Sequence, residues 1–199
     1  RSAGTVANLT VLEDAAATSL GLGALAFGPG GGSDEAAQTF SYTVTAVPSA
    51  MLGNVTLADG TTVVTTSSSY SLAQLRGMRF LPAANAAGGP ASFSWNVVDS
   101  GGTANGGVNT LAESLSITVT AVNDAPTLGS GTLAAVNEDS TSPSGSLISA
   151  IFSGQFVDVD AGSSFGGIAV VGNTAIAGTQ GVWQYSSNGG SNWFAVGTV

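Results

Sequence analysis

The sequence predicts an all-β fold of tandem β-sandwich domains, the second incomplete, and three observations predict it. Apolar and polar residues alternate with a period of two, turn signals separate the alternating runs, and one acidic motif returns a domain's length later. Alternation of this kind marks strands with one buried face. Short strands between Gly-, Asn- and Asp-rich turns describe a sandwich.

Phe40, Tyr42 and Val44 alternate with Ser41, Thr43 and Thr45, which predicts the first long strand. Ala58-Asp59-Gly60 is a turn signal. Leu72 and Leu75 are three apart, so Ser71 to Arg76 is expected to form one helical turn. Phe93, Trp95 and Val97, then Leu115, Ile117 and Val119, predict two further strands, with Asp99-Ser100-Gly101-Gly102 and Asn105-Gly106-Gly107 turning between them. Val182 to Val196 reads as a hairpin around Asn188-Gly189-Gly190. Trp183 and Tyr185, two apart, share a strand face, and with Trp193 they are expected to be core, since a small sandwich needs large side chains inside.

Val11-Leu12-Glu13-Asp14 returns as Val136-Asn137-Glu138-Asp139 at an offset of 125, and Asp34-Glu35 has a counterpart in Asp158-Val159-Asp160. A boundary belongs near Val122 to Pro126, because Pro cannot donate to a continuing ladder. The first domain is therefore 1–122 and the second 123–199. A period of 125 would carry the second domain past Val199, so the counterparts of the last two long strands are expected either in a longer tandem array or from another chain by strand addition.

Composition restricts the chemistry. The 199 residues contain no Cys, His or Lys and only three Arg, against 12 Asp+Glu, for a net charge of -9. Disulfides, thiolate nucleophiles, zinc-thiolate sites, histidine bases and lysine Schiff bases are all excluded. Nucleic acid and anionic membrane surfaces find no cationic footprint in Arg1, Arg76 and Arg79. No apolar run is long enough for a membrane helix, so membrane insertion is not expected. Charged residues make up 8% of the chain, against the ~25% usual for globular proteins. Solubility then rests on Ser, Thr, Asn and Gly, a surface that suits a secreted or cell-surface β protein.

Two motifs satisfy a pattern without its context. Gly21-Leu22-Gly23-Ala24-Leu25-Ala26 has dinucleotide-loop spacing, but no βαβ pattern surrounds it. Asp158-Val159-Asp160-Ala161-Gly162 opens like an EF-hand loop, but carries Ser163 at its sixth position and Ala169 at its twelfth. An enzyme would have to work with carboxylates alone, and nothing sets two of them across a cleft. No enzymatic activity is expected.

The carboxylates gather in pairs: Glu13-Asp14, Asp34-Glu35, Glu138-Asp139 and Asp158 with Asp160, plus Asp124 in the linker. Three arginines cannot offset four such clusters. Ca2+ can, because it takes about six to eight oxygens from carboxylates and carbonyls and needs no nitrogen or sulfur.

The order of these motifs carries a resemblance. Asn123-Asp124-Ala125-Pro126, then Val136-Asn137-Glu138, then Asp158-Val159-Asp160 resembles the succession in cadherin repeats of an Asn-Asp linker ending in Ala-Pro, a strand-A glutamate and a later Asp-X-Asp. It is more similar still to the cadherin-like tandem repeats of giant bacterial surface adhesins. Ile117 to Pro126 reads as their strand end and linker, and Leu75 to Ala83 followed by Phe93 to Asp99 resembles the second half of those repeats. The animal Leu-Asp-Arg-Glu motif is absent, and Ala121 stands where the cadherin linker carries a further Asp.

The resemblance implies tandem cadherin-like, immunoglobulin-like β-sandwich domains. It also implies Ca2+ held at the junction by Asp124, Glu138, Asp158 and Asp160, with Asp139 a further candidate, and an equivalent site at the other end of the first domain from Glu13, Asp14, Asp34 and Glu35. The function it implies is that of calcium-rigidified extender repeats of a large extracellular adhesin, whose partners are neighbouring repeats of the same polypeptide. Two alternatives stay open. One is a filament subunit completed by strands from like chains; the other is a glycan-binding module using Trp183, Tyr185 and Trp193.

Overall fold

The computed structural model describes residues 1–29 and 35–197. The chain divides into two compact units, Arg1–Asn123 and Asp124–Val199. Asp34, one of the expected ligands, and the glycine run beside it lie outside the described residues.

The first unit is all-β, with two sheets sharing one core. A five-stranded sheet has the order β1 (Leu9–Leu12), β8 (Thr110–Thr120), β7 (Gly88–Asp99), β3 (Phe40–Ala46), β5 (Ser69–Tyr70). A three-stranded sheet has the order β2 (Thr18–Ser19), β6 (Arg79–Pro82), β4 (Gly53–Thr56). Residues Phe93, Trp95 and Val97 of β7 and Leu115, Ile117 and Val119 of β8 are buried, and the hydroxyl and amide residues between them face outward. From the second sheet Val55 and Phe80 join the same cluster. A period of two gives each strand one apolar face, and the two apolar faces bury each other.

One pairing runs against the antiparallel pattern. β1 pairs with β8 in parallel, with Leu9 opposite Ile117 and Leu12 opposite Thr120. The first and last strands of the unit therefore run side by side toward the same end.

The expected helical turn is α1 (Leu72–Gly77), a residue later than the sequence suggests. Its start is set by a capping box: Ser71 Oγ accepts from Gln74 N–H at 3.2 Å, and Gln74 Oε1 accepts from Ser71 N–H at 2.9 Å. Leu75 is its buried residue, which leaves Ala73 and Arg76 free of the core. Gly53 in β4 has φ +148°, and a Cβ there would lie 2.4 Å from the Leu81 carbonyl oxygen. Only glycine fits this close approach of two backbones.

The second unit is built more sparsely. β9 (Thr127–Leu128) pairs antiparallel with β10 (Phe156–Val157), and β11 (Gln184–Tyr185) pairs antiparallel with β12 (Phe194–Ala195). A short helix, α2 (Ile148–Ile151), precedes β10. The expected hairpin is present, extended by Val196 N–H donating to the Trp183 carbonyl at 2.8 Å. Its turn is held by Ser186 Oγ, which accepts from Gly190 N–H, and by Asn188 Oδ1, which accepts from Asn192 N–H.

The expectation that Trp183, Tyr185 and Trp193 are core is corrected. They are 52%, 54% and 41% exposed, and no residue described in this unit is buried. Alternation places side chains on one face of a ladder, but a face is buried only when a second layer covers it. Tyr185 and Phe194, paired across the ladder, instead stack on each other with ring centroids 5.7 Å apart.

The turn after β4 has a measurable pH signature. The Asp59 carboxylate accepts from the Thr62 hydroxyl at 2.6 Å and from the Thr62 and Thr61 N–H groups at 2.8 Å. The Thr62 hydroxyl first, then these backbone donors, hold its pKa down to about 2. A folded pKa below the unfolded one means the contribution to stability is present above the ordinary carboxylate value and is lost as pH falls through about 2. Carboxyl NMR should therefore show an Asp59 midpoint near 2, and Asp59→Asn should flatten the stability profile between that pH and about 4. An Asp59 midpoint in the ordinary carboxylate range would refute the assignment.

Candidate metal centre

Among the described residues, the acids whose carboxylates are candidates for a metal ion are Glu13 in the first unit and Asp124 and Asp160 in the second. Each is positioned by backbone within its own unit.

Glu13 is the first residue beyond β1. The parallel register continues for one more bond, with Glu13 N–H donating to the Thr120 carbonyl at 2.9 Å. The side chain then turns toward the end of β8, where Oε1 accepts from Val122 N–H at 2.6 Å. Glu13 is 6% exposed. A buried carboxylate is costly unless it is hydrogen-bonded and its charge is met by a cation. The hydrogen bond is supplied by Val122. The cation is not supplied by arginine. Arg1 Nε pairs with Glu113 at 3.4 Å, Arg76 Nε donates to the Leu25 carbonyl, and Arg79 donates from Nε and Nη2 to the Ala17 carbonyl. Among the described residues Glu13 forms no ion pair.

This placement corrects the expectation that Glu13 and Asp14 serve the other end of the first unit. Because β1 runs parallel to β8, the end of β1 lies beside the end of β8, and Glu13 reaches Val122, two residues beyond Thr120. Asp14 is turned away to a separate task. It has φ +57°, and its Oδ1 accepts from Asn85 N–H at 3.0 Å, which ties the end of β1 to the loop after β6. Glu35 is half-buried in a turn closed by Gln38 N–H on its carbonyl, and is not in the acidic group.

Asp124 and Asp160 are joined within the second unit. Asp160 Oδ2 accepts from Asp124 N–H at 2.7 Å, and Asp158 Oδ1 accepts from Asp160 N–H at 2.9 Å. The Asp-Val-Asp sequence thus makes a turn in which one carboxylate orients the backbone that carries the next, and that next carboxylate holds the start of the linker. Glu138 and Asp139, expected at the same site, are exposed in a turn closed by Ser140 N–H on the Asn137 carbonyl, and neither joins the group.

The donor set is carboxylate oxygen, with backbone carbonyls nearby in sequence and no histidine or cysteine in the chain. That chemistry fits a hard divalent cation and is a poor match for soft transition metals. The Asp124, Asp158 and Asp160 motif was visible in the sequence. The position of Glu13 beside Val122 was not, because no local pattern tells a strand which distant strand it will join.

Glu13 can be tested from its hydrogen bond and its charge separately. Glu13→Gln keeps an acceptor for Val122 and removes the charge, so in EGTA it should be at least as stable as the parent. Glu13→Ala leaves the Val122 N–H without its acceptor and should lose about 1–3 kcal/mol in urea denaturation. Equal destabilisation by both variants would show that the carboxylate charge is already compensated in the metal-free protein.

Comparisons of the chain with protein-family models, with curated proteins and with solved structures find no match.

Proposed function

We propose that the chain is a calcium-stiffened spacer, made of repeats of a large extracellular adhesin, that holds a distal binding module away from the cell. Ca2+ is taken at the linker by Asp124 and Asp160, with Asp158 orienting Asp160, and Glu13 of the first unit is a further candidate ligand. Neighbouring repeats of the same polypeptide are its partners, and its role is structural. The observation that carries this reading is the buried Glu13 carboxylate, which has a hydrogen bond from Val122 and no arginine partner among the described residues.

The linker physics follows from charge. Asp124, Asp158 and Asp160, held together at the start of the second unit, repel one another in a chain with a net charge of -9. A divalent ion replaces that repulsion with shared coordination, and the linker loses freedom of rotation. Binding to the folded state alone also stabilises it, by about 2.7 kcal/mol at a free ion concentration one hundred times the dissociation constant.

Small-angle scattering and thermal melting with Ca2+ and with EGTA test the reading. Ca2+ should lengthen the maximum dimension and raise Tm, and an Asp124→Ala/Asp160→Ala double variant should respond to neither. A parent chain whose dimension, Tm and bound metal are all indifferent to chelation would remove the calcium mechanism.

A second reading is favoured by a separate observation: no residue described in the second unit is buried, while Trp183, Tyr185 and Phe194 stand half-exposed on its hairpin. In that reading a like chain supplies strands that cover this face, as in a filament. Trp95 is already fully buried, so a change in tryptophan emission on assembly would report Trp183 and Trp193. Concentration-dependent sedimentation with a blue shift is expected from it. A monodisperse chain with unchanged emission at high concentration counts against it.

A further inference from the structure

The pairing of β1 with β8 has a mechanical consequence. β1 is the first strand of the unit and β8 the last, and they are hydrogen-bonded neighbours running in the same direction. Tension applied along the polypeptide enters β1 at Leu9 and leaves β8 at Thr120. On parallel strands these two forces pull along the ladder in opposite senses. The bonds between the strands are then loaded together, in shear, and none can open before its neighbours. Antiparallel terminal strands would instead be pulled apart from one end, one bond at a time.

The ladder is reinforced at both ends. Asn8 Oδ1 accepts from Ser116 N–H at 3.0 Å, just ahead of the first register pair. Glu13 adds two bonds beyond the last pair, from its N–H to Thr120 and from Val122 to its Oε1. The apolar side chains of the same strands, Val11 and Ile117 with Val119, lie in the core, so sliding the ladder also shears the packing beneath it. Ahead of β1, the described residues hold the chain through the single Ala3–Ala26 bridge with its flanking bonds, the Arg1–Glu113 pair and the packing of Val6 against the core. These give way first and pass the load to β1.

We propose that the β1–β8 ladder, with Asn8 and Glu13 at its ends, is a shear clamp that makes the first unit load-bearing under tension applied through its termini. The clamp is built from backbone hydrogen bonds, two side-chain acceptors and packing, and does not rest on the metal reading. Forced unfolding is governed by the height of the unfolding barrier rather than by equilibrium stability. A unit of ordinary stability can therefore resist pulling in one direction and yield in another.

The test is single-molecule pulling of the full chain between flanking reference domains, in Ca2+ and in EGTA. The protein contains no cysteine, so Ala16→Cys, at an exposed position just past β1, provides a unique second handle. Pulling between the N- and C-termini should rupture the first unit at a force at least twofold higher than pulling between residue 16 and the C-terminus, which no longer loads β1 against β8 along their length. Rupture of the unit by its termini is recognised by release of roughly 110 residues, up to about 400 Å of chain. Asn8→Ala should lower the force in the terminal geometry and leave the other unchanged. The same hierarchy in EGTA separates this proposal from the calcium reading. Equal forces in the two geometries, or an Asn8→Ala effect confined to the residue 16 geometry, would overturn the clamp.

Discussion

The parallel pairing of β1 with β8 is the constraint on which the rest of the first unit depends. It joins residues more than a hundred positions apart, while the other ladders among the described residues are antiparallel, and it closes the five-stranded sheet on the side away from β3 and β5. Closing a loop of that length costs chain entropy that no local contact repays. The return comes from Val11 beside Ile117 and Val119 in the core, and from the bonds that Asn8 and Glu13 add at the two ends. The same register carries Glu13 to Val122 and so places a carboxylate beside the linker.

Charge scarcity gives that carboxylate its weight. In a protein with many lysines and arginines, a buried glutamate would find a cation among its neighbours. Here each arginine is engaged elsewhere, one with Glu113 and two with backbone carbonyls. The absence of Cys and His removes the usual nitrogen and thiolate ligands and leaves mainly oxygen. Composition and the burial of Glu13 thus both bear on the proposed cation.

The two units differ in what holds them. The first has two sheets and a shared core that includes Phe80, Phe93 and Trp95, all fully buried. The second has two short ladders, ring contacts of Phe165 with Phe152 and Phe156, and the Asp124–Asp160–Asp158 hydrogen bonds. Its order owes more to polar turns than to apolar burial, which makes it the softer of the two.

Much was legible in the amino acids alone. Period-two alternation located β3, β7 and β8 and the side of each strand that faces inward, because side-chain direction along a strand is a local property. Composition restricted the chemistry for the same reason: an absent residue type is absent everywhere. The linker acids were visible as a motif, and the Ser71–Gln74 capping box could have been read from its spacing. What only the tertiary structure decided was which strands are neighbours and which faces are covered. Nothing near Glu13 in sequence announces Val122, and nothing near Trp183 and Tyr185 says whether a second layer lies over them. Both depend on long-range pairing, where the free energy of contact is set by residues far along the chain.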